Sequence, residues 1–133
     1  MNLLLDTHAL VWWFRGDQRM PERVRLLIDA EGSVVFVSAA SAWELTTKYR
    51  LGKMPEAAAL VQNFFAFMQR CEFKPLAVSV AHGHAAGLLE GAHKDPFDRM
   101  LVAQAIAEDL GLVTLDPAMG GLSLSGQSAR VVW

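Results

Sequence analysis

Asn2-Leu3-Leu4-Leu5-Asp6 opens the chain with a short apolar run that stops abruptly on an acid. An apolar run without polar alternation is the pattern of a strand buried on both faces, as in parallel sheets covered by helices. Runs of the same kind recur at 33–37 (SVVFV), 112–115 (LVTL, followed by Asp116) and 130–133 (RVVW), with a weaker candidate at 76–80. Between them the apolar spacing becomes helical. Segment 21–30 places Val24, Leu27 and Ile28 on one face, with Pro21 in the first turn, and 40–51 stops at Gly52. Segment 56–71 carries Leu60, Phe64, Phe67, Met68 and Cys71, while Val61 and Phe65 widen the stripe beyond one face, which predicts a contact surface as well as a core. Segments 81–89 and 97–110 complete the expected helices, and 120–128 (GGLSLSGQS) reads as the one long loop. Strands alternating with helices predict an α/β fold with a mostly parallel sheet covered on both sides.

The 133 residues fit one domain, 1–133. With 53% hydrophobic and 20% charged residues the chain can bury a core, which excludes intrinsic disorder. The stretch 76–89, free of Asp, Glu, Lys and Arg, is shorter than the roughly 18 apolar residues of a membrane span, so no membrane association is expected. The first residues lack the basic start of a secretory signal. A cytoplasmic protein, with Cys71 as a lone reduced thiol, is the expectation. Twelve basic against fourteen acidic residues leave a net charge of -2, so no long-range field draws the chain to nucleic acid. A phosphate-bearing substrate must be attracted locally, and a bound divalent cation supplies that attraction.

The acids fall where such a cation would sit. Asp6 and Asp116 end strands, Glu44 lies in the first turns after the second strand, and Asp98 opens a helix. In a parallel sheet the carboxyl ends of strands and the amino ends of the following helices share the edge where ligands bind. That edge gathers Asp6, Glu44 and Asp116; Asp98 joins them only if its helix begins there. Crowded carboxylates resist ionisation unless cations neutralise them, and hard oxygen donors suit Mg²⁺ or Mn²⁺. Metal-assisted phosphodiester hydrolysis is the matching chemistry. Each acid also has an ordinary structural use. Ser41 and Glu44 can form a capping box, Glu44 and Lys48 an i,i+4 pair, Asp95 a helix cap or a partner for Arg99, and Asp6 a cap for the next helix. Arg99, Lys94 and Lys48 are the candidate phosphate-binding cations.

Four blocks then carry a resemblance across nearly the whole chain. They are Leu3-Leu4-Leu5-Asp6-Thr7-His8-Ala9-Leu10, Val37-Ser38-Ala39-Ala40-Ser41-Ala42-Trp43-Glu44-Leu45, the stretch 93–105 (HKDPFDRMLVAQA) and Leu112-Val113-Thr114-Leu115-Asp116. In order and spacing they resemble the PIN-domain ribonucleases of the VapC toxin type. The resemblance implies a three-layer fold with a central sheet of four to five strands, four acids binding Mg²⁺ or Mn²⁺, and endonucleolytic cleavage of RNA. It also implies a VapB-type antitoxin lying over the active-site groove, and a homodimer. Matched residue by residue, Asp6, Glu44, Asp98 and Asp116 are the family acids and Thr7 the hydroxyl residue after the first, while Asp95 becomes a supporting cap. The aromatic that often follows the last acid is replaced here by Pro117-Ala118-Met119. Two rival readings remain: a catalytically silent binding module using the 60–71 helix, and a phosphotransfer receiver, which lacks its paired acid after Asp6 and has Ser79 where its phosphoacceptor would stand.

Overall fold

The computed structural model describes residues 1–133. Five strands form one parallel sheet: β1 Asn2–Leu5, β2 Val34–Ser38, β3 Lys74–Leu76, β4 Gly111–Val113 and, after a small antiparallel hairpin of β5 Ser123–Leu124 and β6 Gln127–Ser128, β7 Arg130–Val132. Their order is β3-β2-β1-β4-β7, every pairing parallel. The chain builds outward from β1 in one direction through β2 and β3, then returns to the other side of β1 with β4. The order therefore reverses between β1 and β4, the position at which open α/β sheets bind ligands.

Side chains alternate across β1. Leu3 and Leu5 enter one core with Val35, Val37 and Val113, and Leu4 enters the other with Leu112. The first core is closed by α1 Thr7–Arg15, α2 Glu22–Asp29, α4 Ala58–Gln62 and α5 Phe64–Arg70; the second by α6 Val80–Leu88 and α7 Pro96–Ala107. Helix α3 Ala39–Arg50 reaches both, through Leu45 and Ala40 respectively. Trp12, Trp13 and Phe14 pack inward, Trp12 edge-on to Trp133, Trp13 against Phe73 and Phe14 edge-on to Phe67 at 5.0 Å. No helix is long and apolar enough to cross a membrane.

Three expectations shift. The third strand lies at Lys74–Leu76 instead of 76–80, because Ser79 and His82 form a reciprocal cap that starts α6 at Val80. The 56–71 helix is broken into a 3₁₀ turn at Pro55–Ala57, α4 and α5; Asn63 leaves the helical region at φ -118° and its amide donates back to the Ala59 carbonyl. Part of the 120–128 loop is the β5–β6 hairpin, preceded by a 3₁₀ turn at Pro117–Gly121.

Candidate active site

Asp6 follows β1 and caps α1, its Oδ1 accepting from the Ala9 N–H at 2.7 Å. Asn or Ser would cap equally well, so capping explains a short polar residue here but not a buried charge. Asp6 is only 6% exposed, and burial pushes its carboxyl up to about 6, against the downward pull of the neighbouring Thr114 hydroxyl and the Ala9 N–H. Glu44, one turn and a half into α3, is buried as well. Its Oε1 accepts from Thr7 Oγ1 at 2.5 Å and its Oε2 is paired with Lys48. Burial opposes the Lys48 ammonium, but the hydrogen bond and charge of Glu44 outweigh it and hold its pKa above the ordinary value.

Asp98 reaches the same edge because α7 is the last leg of the crossover from β3 to β4. A helix feeding a parallel strand runs antiparallel to it and starts at the carboxyl edge. Asp95 caps α7 by accepting from the Phe97 and Asp98 N–H groups, with Pro96 at the first position. Burial raises the Asp98 pKa, the hydrogen bond from His93 lowers it, and the nearby charges of Asp95 and Glu44 raise it further. Asp116 follows β4 and caps the 3₁₀ turn through Ala118; its backbone N–H donates to Thr114 Oγ1.

These elements enclose a cleft of about 360 Å³, lined by Asp6, Thr7, Glu44, Lys48, Asp95, Asp98 and Asp116, with His8, Trp12, Leu115 and Met119 completing its wall. All four sequence-predicted acids, with Thr7, Asp95 and Lys48, thus face one space. Beside it stands His93, whose Nε2 lies 2.8 Å from Asp98 Oδ2 and 3.9 Å from Asp116 Oδ2. The Asp98 hydrogen bond, helped by the charges of Asp116 and Asp95, keeps the imidazolium above its usual range.

Other candidates are used differently. Arg99 does not pair with Asp95 or point its donors at the cleft: its guanidinium donates to the carbonyls of Ala86, Leu89 and His93. Lys94 is exposed on the loop before α7. The Ser41–Glu44 capping box does not form, because Ser38 caps α3 and Ser41 Oγ is buried with no partner. Sequence reasoning sets His93 beside an acidic block as a residue that could touch RNA but does not pair it with the acids; the signal was its place five residues before Asp98 across a capped turn.

Next to the cleft, an apolar groove of about 740 Å³ runs between α3 and α5. Trp43, Phe64, Phe65, Met68, Phe73 and Leu76 line it, Trp43 and Phe65 being 67% and 84% exposed. Trp43 adjoins Glu44 in sequence and also borders a second apolar pocket with Val78, Phe97 and Met100.

The PIN domain family model matches residues 3–121, from β1 through the turn after Asp116. This chain belongs to the PIN domain family. Over 58 residues, 44% of this chain, it is 38% identical to Ribonuclease VapC16 of Mycobacterium tuberculosis; the match spans 41% of that protein's length. The PIN fold is shared with the crystal structure of VapBC2 from Rickettsia felis bound to a DNA fragment from their promoter, at a TM-score of 0.60 and 18% identity over 88% of this chain and 89% of that one.

Proposed function

We propose that this PIN domain, acting as one unit over residues 1–133, is a metal-dependent endoribonuclease and the toxin of a VapC-type toxin–antitoxin pair. The observation that carries the reading is the convergence of Asp6, Glu44, Asp98 and Asp116 on one cleft where the strand order reverses. A donor set made of carboxylates, two of them buried and with Lys48, His93 and His8 as the counter-charges beside them, fits a hard divalent cation, Mg²⁺ or Mn²⁺. When bound, such an ion lowers the pKa of water and neutralises charge building on phosphoryl oxygens.

The chain's own residues supply the rest. Asp6 and Glu44 provide buried carboxylates whose directions are set by the Ala9 N–H and the Thr7 hydroxyl. Asp98 and Asp116 provide more accessible ones toward the mouth, where the scissile phosphate enters. Lys48, at the wall, offers a cation that a phosphate can share with Glu44, and exposed Lys94 a second near the mouth. RNA is the proposed substrate, as the relative named a ribonuclease supports.

The groove beside Trp43 is the proposed seat of an amphipathic segment of a VapB-type antitoxin. Because Trp43 and Glu44 are consecutive, a chain lying in that groove comes within reach of the acids, where its own Arg or Lys competes with the metal. Exposed Phe65 and its neighbours also fit self-association as a homodimer.

The reading is tested by incubating a structured RNA with the chain and Mg²⁺ or Mn²⁺. Internal cleavage is expected, lost on chelation and lost in Asp98→Asn. Cleavage that persists in that variant, or RNA left intact with either ion, contradicts it.

A further inference from the structure

We infer that His93 is a fifth, nitrogen donor to the metal site and makes it selective for Mn²⁺ over Mg²⁺; the inference rests on the metal-dependent reading above. Nε2 of His93 and one oxygen each of Asp98 and Asp116 all lie within 4.8 Å of one another. Octahedral bonds of about 2.1 Å put neighbouring donors about 3 Å apart and opposite donors about 4.2 Å apart. The separations of 2.8 Å from His93 to Asp98 and 3.9 Å from His93 to Asp116 fall in that range. The same nitrogen that donates to Asp98 is therefore already placed to share a cation with it once its proton is replaced.

The backbone that carries the imidazole is held from behind. Arg99 Nη1 donates to the His93 carbonyl at 3.0 Å while its other nitrogens anchor the end of α6. Upstream, Glu90 and Ser123 exchange backbone hydrogen bonds, and Gly91 at φ +131° lets the loop pass against Leu122. A ligand fixed in orientation by a supporting shell binds more tightly than a free one.

Carboxylates alone serve Mg²⁺ and Mn²⁺ alike, but Mg²⁺ holds to oxygen donors and sheds water reluctantly, whereas imidazole suits transition metals. One nitrogen donor therefore separates the two ions.

The test is binding of the metal alone to the full chain. Calorimetric titration of wild type should show Mn²⁺ bound more tightly than Mg²⁺. His93→Gln should lose at least about tenfold in Mn²⁺ affinity while Mg²⁺ affinity changes much less. Pulsed electron paramagnetic resonance of the Mn²⁺-loaded wild type should show coupling to an imidazole nitrogen that disappears in His93→Gln and persists in His8→Gln. Mn²⁺ bound without nitrogen coupling, or with coupling unaffected by His93→Gln, overturns the assignment of His93 and leaves the four-acid site standing. No binding of either ion overturns both. If His93→Gln folds poorly, His8→Gln still decides: coupling that persists in it supports His93, and coupling that disappears overturns the assignment.

Discussion

Thr7 Oγ1 and Glu44 Oε1 lie 2.5 Å apart, joining the residue after Asp6 to an acid 37 positions away. The bond ties the first turn of α1 to α3 across the β1–β2 edge and aims a buried carboxylate into the cleft. Thr7→Val keeps the shape and deletes the donor, so it should cost about 1–3 kcal/mol, the range for leaving a buried acceptor short of a partner. Thr7→Ser should retain most of that stability. Urea denaturation of both variants checks the difference, and Mn²⁺ affinity should fall with Thr7→Val.

Asp6 should set the pH response of the metal-free protein. Its carboxyl titrates near 6 when folded and at the ordinary 3.8 when unfolded, so between those values the folded state holds the extra proton. Stability contributed by this group is full below about 4, declines as pH rises to about 6 and stays lowered above, by roughly 3 kcal/mol for the full shift. Asp6→Asn removes the charge and keeps the cap, so in chelator it should be more stable than wild type at pH 7, with the gap closing toward pH 4. Equal stabilities at both pH values would contradict the burial argument.

Much of this was readable in the chain. The unalternating run at 2–5 announces a strand buried on both faces, and β1 is central in the sheet; the run at 112–115 overlaps β4, which ends at Val113 and leaves Leu115 exposed. The acids after them had to meet at the switch point once the sheet was parallel. The third strand was displaced because it is a short edge strand through Pro75, with little apolar signal against the cap formed by Ser79 and His82. Asn63 breaks a helix that the apolar spacing of 56–71 runs straight through, since periodicity does not register a side chain turning back on its own carbonyls. Arg99 was misread because an arginine four residues from an aspartate looks like an ion pair, whereas tertiary packing brought three free carbonyls within its reach. His93 lay hidden because its partners Asp98 and Asp116 come from different elements.

The loop that carries His93 depends on Gly91. A Cβ there would lie 2.8 Å from Leu122 Cδ2, at a φ of +131° that other residues rarely adopt. Gly91→Ala should therefore lower stability by about 1–3 kcal/mol and speed amide exchange at residues 90–95 more than in the sheet. Thermal melts and hydrogen exchange read the two effects.

Phe65 lies on the exposed face of α5 proposed to meet a partner. At 84% exposure its replacement should barely disturb folding, so Phe65→Glu should stay within about 0.5 kcal/mol of wild type. Affinity for an antitoxin segment seated in the groove should drop at least about tenfold, as for an exposed aromatic anchor. A soluble variant with unchanged self-association and unchanged partner affinity would show that this face is not used.

The most direct test of the four-carboxylate site is the chemistry of the cut ends. On the proposed reading, a water activated at the acids would attack phosphorus without help from the 2′-hydroxyl. Cleavage products should therefore carry a 5′-phosphate and a 3′-hydroxyl, form only with Mg²⁺ or Mn²⁺ present, and vanish in Asp6→Asn and Asp116→Asn. Products ending in a 2′,3′-cyclic phosphate, made equally well in chelator, would contradict the account.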